Sequence, residues 1–209
     1  MKIEIRNNNF ILHPSGTIFW EQQKILLISD VHLGKIAHFR KNGLAIPENA
    51  ILENFRRLNV VLDLYNPNTI IFLGDLFHSK INNEWHFFTD WVSKIAAEII
   101  LVEGNHDIIA KQNYAELNIA LHPKLLIEEF LFTHYPTDTD EFFNFCGHIH
   151  PGIKLKDLGR QPLKVACFFK KKNQMILPAF GEFTGNYYLK PEINDSVYAI
   201  ANNQIIKVV

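Results

Sequence analysis

Short apolar runs cut off by turn residues dominate the start of the chain: KIEI, FILH, TIFW and KILLIS. Asn7-Asn8-Asn9 and Pro14-Ser15-Gly16 supply turns between them, so the runs read as strands. The period then changes. In PENAILENFRRLNVVLDLY the apolar positions Ile51, Leu52, Phe55, Leu58, Val61, Leu62 and Tyr65 recur at helical spacing, and Pro47 opens the stretch. Asn66-Pro67-Asn68 stops it. TIIFLGD, an aromatic-rich helical segment around residues 84–97, and EIILVEGNHD follow. Strand, helix, strand, helix, strand, with strands apolar at nearly every position, predicts a mainly parallel sheet flanked by helices.

After residue 118 helical periodicity weakens. LIEEFLFTH, FFNFCGHIH, VACFFKKKNQMIL and SVYAIANNQIIKVV read as strands and hairpins, with Lys170-Lys171-Lys172 at a hairpin turn. The expectation is an α/β protein of two packed sheets with helices outside. No repeat, low-complexity tract or linker-like shift interrupts the pattern, so residues 1–209 are expected to form one domain.

Composition narrows the function classes. The 209 residues are 47% hydrophobic, enough for a sizeable core and too many for a disordered chain. The formal net charge is −1, so a nucleic-acid partner must be held by a local basic patch, not by a global field. MKIEIRNNNF has no apolar stretch of a signal peptide, and no run is long enough to span a membrane. A cytoplasmic protein is expected, with Cys146 and Cys167 as two buried thiols.

The chemistry collects where the apolar runs end. Asp30 and His32 follow the first core strand, Asp75 the second and Asn105 the third. His134 follows LFT, and His148 and His150 follow FFNFCG. Ligands in open α/β sheets bind beyond the carboxyl ends of strands. The period of two lets Asp30 and His32 face the same side. Singly, each residue has an ordinary reading: a strand-end Asp is often a helix cap, and a lone histidine such as His13, His86 or His122 is usually a satisfied surface or core group. The ordered set DVH, GDLFH, GNHD, TH and GHIH is what points to a metal centre. Carboxylate, amide and imidazole donors without thiolate suit Mn, Fe(II), Zn or Ni. Seven candidates are too many for one tetrahedral ion and fit two ions sharing a carboxylate, as in two-metal phosphoryl transfer.

The same set resembles the calcineurin-like metallophosphoesterase superfamily over residues 30–150. A narrower resemblance, to the bacterial ligase-associated DNA damage response endonucleases (PdeM-type phosphoesterases), rests on DVHLGKIAHFRKNGLAIP and PAFGEFTGN and spans nearly the whole chain. The resemblance implies a four-layer αββα sandwich of two mixed sheets. It implies that Asp30, His32, Asp75 and His150 hold one ion and that Asp75, Asn105, His134 and His148 hold the other, Asp75 bridging. His106 resembles the family's catalytic histidine, which is not a ligand; Asp107 is placed to orient it. His78 matches a histidine of SbcD-type nucleases, which favours diester substrates.

The implied reaction is hydrolysis of a DNA phosphodiester in repair, with water between two divalent ions, Mn²⁺ foremost, as nucleophile and His106 helped by His78 as proton donor. Fe²⁺, Zn²⁺ and Ni²⁺ suit the same donors. A DNA ligase and a helicase are the implied partners. Lys35, His38 and Arg40, just after the first ligand pair, are candidate substrate contacts. A phosphatase or cyclic-nucleotide phosphodiesterase on a small substrate, and a non-catalytic metal-binding scaffold, are the rival readings. PAFGEFTGN is open between a loop at the site and a simple turn.

Overall fold

A computed structural model describes residues 1–35, 49–78, 80–155, 162–181 and 184–209. The first sheet opens with an antiparallel meander, β1 (Lys2–Ile5), β2 (Asn8–Leu12), β3 (Ile18–Trp20) and β4 (Ile25–Ile28). From β4 onward it is parallel, through β5 (Thr69–Leu73), β6 (Glu98–Val102) and β7 (Ala120–His122), in the spatial order β1 to β7. The helices α1 (Asn49–Tyr65), α2 (Asn83–Val92) and the short α3 (Lys111–Ala115) lie in the crossovers.

The apolar runs of the parallel strands lack alternation because both of their faces are buried. Leu26, Ile28, Ile70, Phe72, Ile99 and Leu101 pack with Phe55, Leu58 and Val61 of α1, Trp85, Phe88 and Trp91 of α2, and Tyr114 of α3. Ile25, Leu27, Ile71, Leu73 and Val102 face the other way, into the space between the sheets. Leu52, on the predicted helical stripe, is half exposed at the start of α1.

The helix expected to run to about residue 97 ends at Val92. Its N-cap Asn82 accepts the Glu84 N–H, and after Val92 the bonds shift to the tighter pattern Lys94 N–H to Trp91 O and Ile95 N–H to Val92 O. The chain has to straighten there to enter β6. Helix α3 was not legible; it is too short for a period to show.

The second sheet runs β14 (Tyr187–Tyr188), β11 (Pro151–Leu155), β12 (Leu163–Lys171), β13 (Gln174–Ile176), β10 (Phe143–Cys146), β9 (Phe130–Thr133), β8 (Leu125–Ile127), with β15 (Ser196–Ala201) and β16 (Gln204–Lys207) attached through β12. The Lys170-Lys171-Lys172 stretch does end β12 at a hairpin. Its inner face supplies Phe130, Phe132, Phe143, Phe145 and Phe168, which meet Phe10 and Trp20. The two mixed sheets expected from the sequence are present. Among the described residues no helix follows Ala115. The outer face of the second sheet (Cys146, Cys167, Phe169, Ile176, Val197 and Ala199) is instead buried with Ile153, Leu155 and Leu189 of its own neighbouring segments.

Two alignments position the site. β4, β5 and β6 are parallel, so their carboxyl ends share one edge; β9 and β10 are also parallel, so theirs share another. Phe145 is the pivot between them, fully buried and in ring contact with Phe10, Phe130, Phe132 and Phe143. Phe145→Ala is expected to cost about 3–5 kcal/mol. A urea unfolding midpoint lowered at unchanged m-value shows it; a midpoint equal to wild type refutes the pivotal role.

Candidate metal centre

The strand pairing continues past the ends of the strands. Asp30 N–H donates to Gly74 O, His32 N–H to Asp75 O and Leu33 N–H to Leu76 O, so the two ligand-bearing loops run side by side. On the other sheet Gly147 N–H donates to His134 O. Five of the seven candidate ligands, Asp30, His32, Asp75, His148 and His150, take positive φ between 50° and 67°. Such left-handed backbone costs roughly 1–3 kcal/mol per residue outside glycine and persists where its surroundings impose it. Two glycines make room. A Cβ on Gly74 would enter the His134 ring, and one on Gly147 would meet the Asp30 carboxylate.

Two triads result. Asp30, His32 and His150 converge within 4.8 Å of one another, as do Asp75, His134 and His148. His134 Nδ1 faces Leu73 O at 3.0 Å and His150 Nδ1 faces Gly185 O at 3.2 Å. A carbonyl only accepts, so each Nδ1 carries a proton and Nε2 faces inward, offering its lone pair to an ion once any second proton has left. Those nitrogens meet carboxylate and amide oxygens and further ring nitrogens. His134 Nε2 lies 3.1 Å from Asn105 Oδ1, 3.1 Å from His148 Nδ1 and 3.5 Å from Asp75 Oδ1. His150 Nε2 lies 3.3 Å from His32 Nε2 and 3.2 Å from Asp30 Oδ1. Acceptors crowded on acceptors need a cation or a proton between them. Ligands about 2.0–2.2 Å from one ion are roughly 2.8–3.6 Å apart at angles between about 90° and 109°, a range that contains the spacings observed.

Asp75 joins the two triads. Its Oδ1 faces His134 and its Oδ2 lies 4.0 Å from His32 Nε2. Asp30 Oδ1 is buried and makes no hydrogen bond, while Oδ2 accepts from the Ser29 hydroxyl and the His148 N–H. An orphaned carboxylate oxygen, neutral rings and no thiolate are what a borderline or hard divalent ion needs, so these residues fit two such ions.

Burial, only partly offset by the Asp30 charge, brings His32 down to about 3, and burial with the nearby His134 lowers His148. Both rings are neutral at physiological pH and able to ligate. Burial also lowers His150, but the adjacent Asp30 carboxylate outweighs it and the ring ends above its ordinary value. For Asp30, burial pushes up and the His150 ring outweighs it, leaving the carboxyl low.

His106 and His78 stand beside the first triad without joining either. The His106 ring centroid is 5.7 Å from that of His32 and 4.8 Å from that of His78. The His106 N–H donates to Asp75 Oδ1, tying its segment to the shared carboxylate. Asp107 differs from expectation. Its carboxylate accepts from the backbone N–H groups of Asp75, Phe77 and Gly104, clamping two ligand loops together where it was expected to orient His106. Burial raises its carboxyl to about 6 despite these donors.

Lys35 is half-buried, and the charges of Asp30 and Asp75 raise its pKa against a larger lowering by burial, which places it near the centre. His38 and Arg40 lie outside the described residues.

Three contributions escaped the sequence reading. Glu84, buried, accepts the Gly34 N–H at 2.7 Å and pins the loop after His32. Tyr135 donates to Asn105 Oδ1 at 3.0 Å and packs on the His148 ring. The segment open between site loop and turn packs on the site: Phe180 and Gly181 N–H groups donate to Ser29 O and Asp30 O, and Gly185 O receives His150. In PAFGEFTGN the glycines were the available signal.

Two mixed nitrogen and oxygen triads joined through one carboxylate at the meeting of two sheets are candidate sites for two metal ions. The family model for calcineurin-like phosphoesterases matches residues 23–190, and the chain belongs to that family, a metal-dependent phosphoesterase. Among solved structures, it is similar to the Pseudomonas putida nuclease MPE (27% identity, TM-score 0.85, covering 100% of this chain and 99% of that one). It also matches Yfce, a phosphoesterase from E. coli (14% identity, TM-score 0.46, 88% and 97% covered). No curated protein matches.

Two outcomes test this geometry. Asp107→Asn puts an N–H₂ where an acceptor is needed and should cost about 1–3 kcal/mol while lowering bound metal; unchanged melting temperature and metal content would refute the clamp. Since His150 holds its proton above the ordinary pH, metal must displace it, and Mn²⁺ affinity should fall by up to about tenfold per pH unit on acidification below neutrality. Equilibrium dialysis showing equal affinity at pH 6 and pH 8 would contradict that.

Proposed function

We propose that the chain is a nuclease that hydrolyses DNA phosphodiesters with two divalent ions, held by Asp30, His32, Asp75 and His150 on one side and by Asp75, Asn105, His134 and His148 on the other. The observation that carries the reading is the convergence of inward-facing imidazole nitrogens on either side of Asp75. Full-length similarity to the P. putida nuclease supports the substrate class. Oxygen-rich donors alongside imidazole favour Mn²⁺, with Fe²⁺, Zn²⁺ or Ni²⁺ compatible.

When bound, the ions supply positive charge to the phosphoryl oxygens and an acidified water as nucleophile. The protein's own groups do the rest. Asp75 sets the spacing of the two sites through its two oxygens. His106 reaches the side of the first triad and protonates the departing alkoxide, with the His78 ring tilted against it as a proton relay. Lys35 contributes a cation beside the carboxylates for a substrate phosphate. The likeness of the DVHLGKIAHFRKNGLAIP stretch supports a place in cytoplasmic DNA repair beside a ligase and a helicase. Among the described residues no helix is long and apolar enough to cross a membrane.

The decisive experiment compares a bis-aryl phosphate, a mono-aryl phosphate and nicked or single-stranded DNA with the Mn²⁺-loaded protein. Diester and DNA cleavage that vanish on chelation are expected; cleavage of the monoester alone would overturn the reading. Asp75→Asn should abolish hydrolysis and lower metal content, and full activity in that variant would reject the bridging role. His106→Ala should keep metal by elemental analysis while kcat falls on the order of 10²–10³-fold; metal and turnover falling together would make His106 structural.

A further inference from the structure

Strand β11 leads directly away from His150 and carries a cluster that neither the core nor the metal centre uses. Lys154 of β11 and Lys164 of β12 are direct cross-strand partners in an antiparallel pair. Their Cβ atoms are therefore about 4.5–5.5 Å apart on one face, where like charges oppose pairing. Both side chains are exposed, and among the described residues neither ammonium has a carboxylate partner. Both lie instead over the ring of Tyr188, 5.3 Å and 5.6 Å from its centroid. Tyr188 reaches them because β14 pairs with β11 at Gly152, where a Cβ would press on the tyrosine ring at 3.1 Å. Tyr187, the next residue back, is 65% exposed, and its N–H donates to His150 O at 2.9 Å. The cluster is thus fixed to a candidate ligand through the backbone.

We propose that Lys154, Lys164 and Tyr188 form a binding strip for the sugar-phosphate backbone of the nucleic-acid strand whose scissile diester lies at the metal centre. The proposal rests on the nuclease reading above and extends it to where the flanking strand runs. A phosphate between the two ammonium groups turns their repulsion into a shared attraction, which gives a reason for a pairing that works against the sheet. At about 3.3 Å per residue, Lys154 sits roughly 13 Å along the strand from His150. The lysines therefore meet a phosphate a few nucleotides from the cut. A small diester would not reach them.

The test uses the Mn²⁺-loaded full chain, a labelled single-stranded oligonucleotide and a bis-aryl phosphate. In the Lys154→Gln/Lys164→Gln double variant the KM for the oligonucleotide should rise on the order of tenfold. The slope of log KM against log salt should become shallower by about 0.7, from the one phosphate the two lysines share. Turnover of the bis-aryl phosphate should be unchanged, and Lys154→Arg/Lys164→Arg should restore the KM. An oligonucleotide KM and salt slope equal to wild type would overturn the strip while leaving the nuclease reading intact. Loss of bis-aryl turnover in step with DNA cleavage would also overturn it, since the lysines would then act through the metal centre. Wild-type protein that turns over the bis-aryl phosphate but neither cuts DNA nor binds it by fluorescence anisotropy would overturn the nuclease reading and the strip together.

Discussion

Electron pairs aimed at electron pairs set the terms for the rest of this protein. The inward-facing nitrogens of His134 and His150 are held by bonds from their opposite nitrogens to main-chain carbonyls, so neither ring can turn its proton inward without losing a partner. Around them stand a fully buried carboxylate and a second carboxylate shared between the two groups. Such a cluster is unfavourable by itself and becomes favourable when cations enter. Its existence in a folded chain requires the scaffold to hold it against its own repulsion.

The scaffold does so by making the loops as rigid as the strands. The segments carrying Asp30 and Asp75 keep hydrogen-bonding to each other beyond the sheet, and an isolated bridge at Leu33 and Phe77 extends the pairing further. Asp107 gathers three main-chain donors from both sides of the cleft. The left-handed residues are concentrated at the ligands because each loop must turn sharply within one or two positions of its strand to aim a short side chain back over the sheet edge. The centre is therefore preformed, and its shape does not have to be assembled by the ions.

Legibility followed side-chain class. The parallel strands were readable because two buried faces demand unbroken apolar runs, and Leu26 and Leu27 each found a different core. The seven ligand candidates were readable because their residue types have few other reasons to follow strands in that order. Asp107 was misjudged. Adjacency to His106 suggested a partnership in sequence, but the turn directs its oxygens to the neighbouring backbone. Glu84 and Tyr135 left no trace in the pattern. A glutamate in the first turn of a helix and a tyrosine after a histidine look ordinary until the fold brings Gly34 and Asn105 to them.

By itself the order of residues determined the two-sheet α/β class, the strand ends where chemistry collects and the donor types available to an ion, since these depend on local periodicity and on the intrinsic chemistry of side chains. Tertiary structure alone decided how closely the donors converge, which ring nitrogen faces inward, and that two lysines about ten residues apart stand side by side over one tyrosine. Those outcomes follow from strand register and loop curvature. Both are set by packing between segments distant in the chain, and no local pattern encodes them.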